Sequence, residues 1–149
     1  AYERWPINVR PMEAAVVQLE LASMAVGASA PLGLVMQSAD LIDRAVRDHR
    51  RPSSISLGVI VHSRLALITG DAEHWNRAIR LATRLTELDP NGLSAWRRLG
   101  DVRWHAGEKS AAADAYRRAL ECDGHFALDQ LKRLSEKDRI EIKRRIGVD

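Results

Sequence analysis

From Ala95 to Gly124 the chain reads AWRRLGDVRWHAGEKSAAADAYRRALECDG, and this stretch constrains the fold more than any other. It holds two helix-length runs parted at Gly107. Gly100 on the first run and Ala112 and Ala119 on the second are small enough to let two antiparallel helices approach closely. Tyr116 is bulky enough to fill the wedge that such a pair leaves beside its neighbour. Aromatic residues are only 5% of the 149, so Ala, Leu, Val and Ile must fill the rest of the interior.

Helix signals of the same kind run through the whole chain, and no stretch alternates with the period of a strand. The pattern predicts helices over about Pro11–Val26, Pro31–Arg50, Ile55–Thr69, Glu73–Leu88, Leu93–His105 and Lys109–Glu121. Gly27, the Arg51-Pro52-Ser53-Ser54 segment, Gly70, Asp89-Pro90-Asn91-Gly92, Gly107 and Gly124 separate them. Ser53-Ser54 offers an N-cap. Two shorter helices are expected after Gly124, one over Phe126–Leu134 and one capped by Ser135 with Asp138 three residues on. Helices joined by loops this short pack antiparallel.

The Trp96 segment closely resembles the tetratricopeptide repeat. Trp96, Leu99 and Gly100 match the opening of that motif. Ala112, Tyr116 and Ala119 match its small, aromatic and small positions, and Asp123-Gly124 stands where the family usually has Asp-Pro. Pro90 precedes Gly124 by 34 residues, the family period. Ala78, Ala82 and Asp89-Pro90 resemble the second half of another repeat. The resemblance implies an all-α fold: an antiparallel helix-pair array, or α-solenoid, of about three repeats with a C-terminal capping helix. Its parts are an extension over 1–10, a degenerate helical pair over 11–52, a degenerate repeat over 55–90, the clear repeat over 93–124 and capping helices over 125–147, together a single domain.

In this family the first helix of each repeat lines the inner face. On the clear repeat the matching positions are Ser94, Arg97, Asp101, Trp104 and His105. On the preceding repeat they are Leu57, Ile60, Arg64, Leu67 and Ile68. Such a mixture of apolar area with two Arg and one Asp suits an extended peptide or a helix. Arg97 and Trp104 are the expected anchors, since both residue types are enriched at interface hot spots. Trp104 has a second reading, plain packing. The family's carboxylate clamp for chaperone tails needs Asn where Asp101 stands, so that ligand class is not expected.

No catalytic or metal-binding constellation emerges. His49, His62, His74, His105 and His125 are dispersed, and no HExxH or paired-Cys pattern is present. Cys122 and His125 form a C-x-x-H pair without two further ligands, and Cys122 reads as a buried structural residue. No Gly-rich phosphate loop follows a strand. No cofactor, metal or small-molecule substrate is expected, and the chain is not expected to be an enzyme. The 23 basic residues are nearly balanced by 20 acidic ones, for a net charge of +3, which does not imply nucleic acid. Two basic clusters, Arg44 to Arg51 and Lys132 to Arg145, are interleaved with acids. Pairs such as Asp40 with Arg44 and Glu141 with Arg145 read them as solvated helix faces.

The expected function is a protein–protein interaction scaffold that binds a partner peptide, helix or protein. Its expected setting is a bacterial envelope, polysaccharide or secretion assembly, in cytoplasm or periplasm, with a membrane-protein complex among the partners. Two other readings are a docking or regulatory region of a larger enzyme, and basic C-terminal helices that bind nucleic acid or anionic lipid. The absence of a starting Met is read as a sign of excision from a larger, membrane-anchored protein.

Overall fold

In a computed structural model of the protein, residues 32–148 are described. The helix expected over Pro11–Val26 lies outside them, as does Pro31. Among the described residues there are six α-helices and no strand. They are α1 (Leu32–His49), α2 (Pro52–Thr69), α3 (Ala72–Leu88), α4 (Leu93–His105), α5 (Lys109–His125) and α6 (Glu136–Ile146), with a short 3-10 turn at Gln130–Lys132 between the last two. The chain divides into two compact units between Leu81 and Ala82, within α3.

In the first unit α1 packs on α2. Val35, Ala39, Ile42 and Ala45 recur every three or four residues along one face of α1 and meet Val61 and Leu65 of α2. All six are buried. Complete burial of a Val, Ile or Leu side chain contributes about 1.5–3 kcal/mol relative to exposure, so this seam holds α1 firmly to α2. Pro52 opens α2 at its first turn, where a missing N–H costs nothing. The residue before it, Arg51, is the N-cap, and its own side chain makes no capping hydrogen bond. The expected Ser53-Ser54 cap is therefore inside the helix, because Pro52 sets the start and Ser54 is buried. Gly70 ends α2 in the left-handed region (φ 71°), and its N–H bonds to the Ala66 carbonyl. Asp71 Oδ1 then accepts the Glu73 N–H at 2.9 Å and caps α3.

The second unit is built on α4 and α5. A Cβ added to Gly100 would stand 2.6 Å from the Tyr116 ring, so only glycine permits this approach. Gly107, at φ 89°, turns the chain between the two helices. Tyr116, Ala112, Leu134 and Ile142 form the core, with Leu93, Trp104, Leu120 and Ile146 packed around it.

Beyond the earlier start of α2, the stretch around Gly124 also differs from the sequence expectation. Gly124 does not end α5, which continues to His125. No α-helix forms over Phe126–Leu134; the segment is turns and one 3-10 turn. Asp123 organises the end of this segment. Its buried carboxylate accepts the Leu134 N–H at 2.7 Å and ion pairs with Arg133 and Arg139. A donor needed by a helical ladder is thus diverted to a side chain. Ser135 caps α6 as expected, its hydroxyl accepting the Asp138 N–H at 3.1 Å.

Candidate functional site

The expected contact positions on α4 face one direction because they recur at helical spacing. Ser94 and His105 are exposed at its ends. His105 Nδ1 lies 2.7 Å from the Asp101 backbone carbonyl and donates to it in the matching tautomer. Between them, Arg97, Asp101 and Trp104 are engaged by α6. Arg97 donates two hydrogen bonds to Asp138, Nη2 to Oδ1 at 2.8 Å and Nη1 to Oδ2 at 3.1 Å. This fork geometry fixes direction as well as charge. Asp101 Oδ1 accepts the Tyr116 hydroxyl at 2.6 Å and Arg145 Nη1 at 3.1 Å. Arg145 also donates to the Tyr116 oxygen. Its guanidinium lies 5.2 Å from the Trp104 ring centroid, and Lys109 Nζ lies 3.6 Å from it.

These contacts alter the protonation of the groups involved. Burial and the hydrogen bond to the Asp101 carboxylate push the Tyr116 phenol well above its ordinary value. The Ser135 hydroxyl and the Arg97 guanidinium hold the Asp138 carboxyl below the usual range. Hydrogen bonds from Arg144 and then Arg145 bring Glu141 down to about 2.

Arg97 and Asp101, expected to face a ligand, thus hold α6, though their side chains remain 38% and 40% exposed. Trp104 takes part in the core, which is the packing reading of that residue. The sequence reasoning missed three cross-helix pairings: Tyr116 with Asp101, Asp138 with Arg97, and Arg145 with Asp101 and Tyr116. The seven-residue spacing of Asp138 and Arg145, two turns of one helix face, is the signal that was there to read. The basic stretch from Lys132 to Arg145 is also not wholly a solvated face. Arg133, Arg139 and Arg145 turn inward to Asp123 and Asp101, while the expected Glu141–Arg145 pair does form at 2.8 Å. Arg44 Nε reaches the Asp40 backbone carbonyl rather than its carboxylate.

On α2 the expected positions divide differently. Leu57 packs against the core of α1 and α2. Arg64 is half-buried. Ile60, Leu67 and Ile68 are 40%, 64% and 37% exposed, one apolar stripe at i, i+7 and i+8.

A second polar cluster in the same unit went unread because its members come from three helices. His62 on α2 is buried (1% exposed), with Nε2 2.8 Å from Asp43 Oδ1 of α1. Its other ring nitrogen is 3.4 Å from His74 Nδ1 of α3, and the two rings stack. Arg77 of α3 is 3.4 Å from the second Asp43 oxygen. Burial works to raise the Asp43 carboxyl, but His62, Arg77 and Arg47 together bring it below its ordinary value. Asp43, Val46, Arg47, His62, Arg77, Arg80 and Leu81 line a cavity of about 290 Å³.

Among the described residues, no group of three or more His, Cys, Asp and Glu side chains is arranged to hold a metal ion. No described helix is long and apolar enough to cross a membrane. Cys122 is buried, and that burial raises its thiol, which makes it a poor nucleophile.

Residues 63–125 match the family model described as tetratricopeptide repeat. No curated protein matches the sequence. Among solved structures, the chain is similar to the Sgt2 TPR domain from Aspergillus fumigatus. The identity is 21%, the TM-score is 0.58, and the match covers 92% of this chain and 80% of that one.

Proposed function

Because residues 63–125 belong to the tetratricopeptide-repeat family, whose fold serves as a protein–protein interaction scaffold, we propose that this chain binds a partner peptide, helix or protein through the first helices of its repeats and performs no catalysis itself. The observation that carries the reading is the stripe on α2. Ile60 and Leu67 leave large apolar side chains in water on a helix that is apolar nearly all round. A helix of that composition is ordinarily covered on every side.

Two patches are involved, one on each unit. Ile60, Arg64 and Leu67 on α2 supply apolar area with one half-buried cation. On α4, Arg97, Asp101 and Trp104 are held in fixed positions by α6, and Ser94 and His105 stand exposed at the helix ends. A pre-fixed side chain loses less entropy when a partner arrives. A bacterial origin is proposed from the Ala- and Arg-rich composition, and the setting proposed is an envelope, polysaccharide or secretion assembly. The inward pairing of Arg133, Arg139 and Arg145 weakens the nucleic-acid reading, because those cations already have carboxylate partners.

Photocrosslinking from position 67 tests the proposal. A discrete adduct is expected from that position, lost on Ile60→Glu, with no equivalent from position 118 on the exposed face of α5. Equal capture from both positions, or an adduct indifferent to Ile60→Glu with the helical spectrum intact, would overturn it.

A further inference from the structure

The cavity between α1, α2 and the first turns of α3 has no place in that reading. It is lined by Arg47, Arg77 and Arg80 against one carboxylate, Asp43, which leaves its wall two positive charges. Asp43 is already committed. It takes the His62 ring nitrogen at 2.8 Å and touches Arg77 only at 3.4 Å. The other acid within reach is Glu73, which sits 3.1 Å from Arg80 and 3.6 Å from Arg77. Its side chain is 53% exposed, and ion pairs so open to water are weak. Two guanidiniums are therefore held loosely by a surface carboxylate that can swing away.

We infer that this cavity is a binding site for a phosphate monoester dianion, gripped by Arg47, Arg77 and Arg80 in place of Glu73. The charge agrees: such a group carries about −1.5 to −2 at pH 7. The size agrees: about 290 Å³ lies just below the roughly 300–1,000 Å³ of sites for drug-sized ligands, as suits a group this small. The donor chemistry agrees: guanidinium forks match phosphate oxygens two at a time, which a lone ammonium cannot do. Val46 and Leu81 supply a short apolar wall for the ester's carbon side. His62, fixed by Asp43 and stacked on His74, keeps the floor rigid.

The test is a ³¹P NMR titration of the whole chain with inorganic phosphate and phenyl phosphate, against chloride at matched ionic strength. Saturable binding is expected in the wild type. The double variant Arg47→Gln, Arg80→Gln should bind about tenfold more weakly, a change of about 1.4 kcal/mol. Glu73→Gln should bind more tightly, because the competing carboxylate is gone. Both variants alter exposed side chains, and an unchanged circular dichroism spectrum and melting temperature check the fold. Vesicles containing phosphatidic acid identify the carrier. Co-sedimentation that the double variant abolishes assigns a lipid monoester, and its absence alongside soluble binding assigns a free one. Phosphate binding no stronger than the chloride effect, or unchanged in the double variant, overturns the inference. So does weaker binding by Glu73→Gln.

Discussion

Two glycines of the clear repeat carry opposite constraints. Gly100 lies against the Tyr116 ring, and an added Cβ meets ring carbons at 2.6 Å. Gly124, within α5, has nothing within 4 Å of such a Cβ. Gly100→Ala should cost about 1–3 kcal/mol in urea denaturation through overpacking. Gly124→Ala should instead gain up to about 1 kcal/mol, since alanine is the better helix residue. Tyr116 carries a pH prediction as well. Its folded value lies above the ordinary 10.0 because burial and Asp101 disfavour the phenolate. The stability that it contributes is complete below pH 10.0 and is lost as the pH rises from there toward the folded value. Stability measured above pH 10.0 should fall less steeply in Tyr116→Phe than in the wild type. The ring, the glycine and the two alanines were legible in the sequence because spacing alone places them on facing surfaces. The hydroxyl's partners were not, because Asp101 and Arg145 reach it from 15 and 29 residues away.

Among the elements, α4 was read at both ends, Leu93 and His105, because Gly92 and Gly107 punctuate it locally. The stretch after α5 was misread for a tertiary reason. Asp123 looked like a terminator beside a glycine, yet it is a buried carboxylate that organises Leu134, Arg133 and Arg139. Burial alone would raise it, but the Leu134 amide and the two guanidiniums outweigh burial and lower it from 3.8. Its contribution is therefore present above pH 3.8 and is lost as the pH falls through the lower folded value. Asp123→Asn should cost about 2–3 kcal/mol, less than a wholly buried pair, because Arg133 and Arg139 stay about a quarter exposed. Ser135→Ala should cost about 1 kcal/mol through the lost cap of α6. Thermal denaturation followed at 222 nm measures both.

For the molecule as a whole, each unit has its own buried cluster, α1 with α2 in one and α4 to α6 in the other. Arrays of helix pairs derive stability mostly from nearest neighbours. Asp123→Asn should accordingly speed hydrogen exchange in α5 and α6 and leave the amides around Val61 and Leu65 as protected as before. Loss of protection at both clusters together would show a single cooperative block instead. The fold class was legible because helical period and small-residue spacing are local properties. The cation-lined cavity was not, because His62 and Arg77 lie 19 and 34 residues beyond Asp43 along the chain.

The grip of α4 on α6 sets a joining rule for protein engineering. Arg97 asks for an acid at 138, and Asp101 with Tyr116 asks for a guanidinium at 145. A foreign helix grafted after Leu134 will seat only if it carries that two-pronged key, acid and base two turns apart on one side. A graft with the prongs exchanged sets cation against cation and carboxylate against carboxylate, and should be rejected.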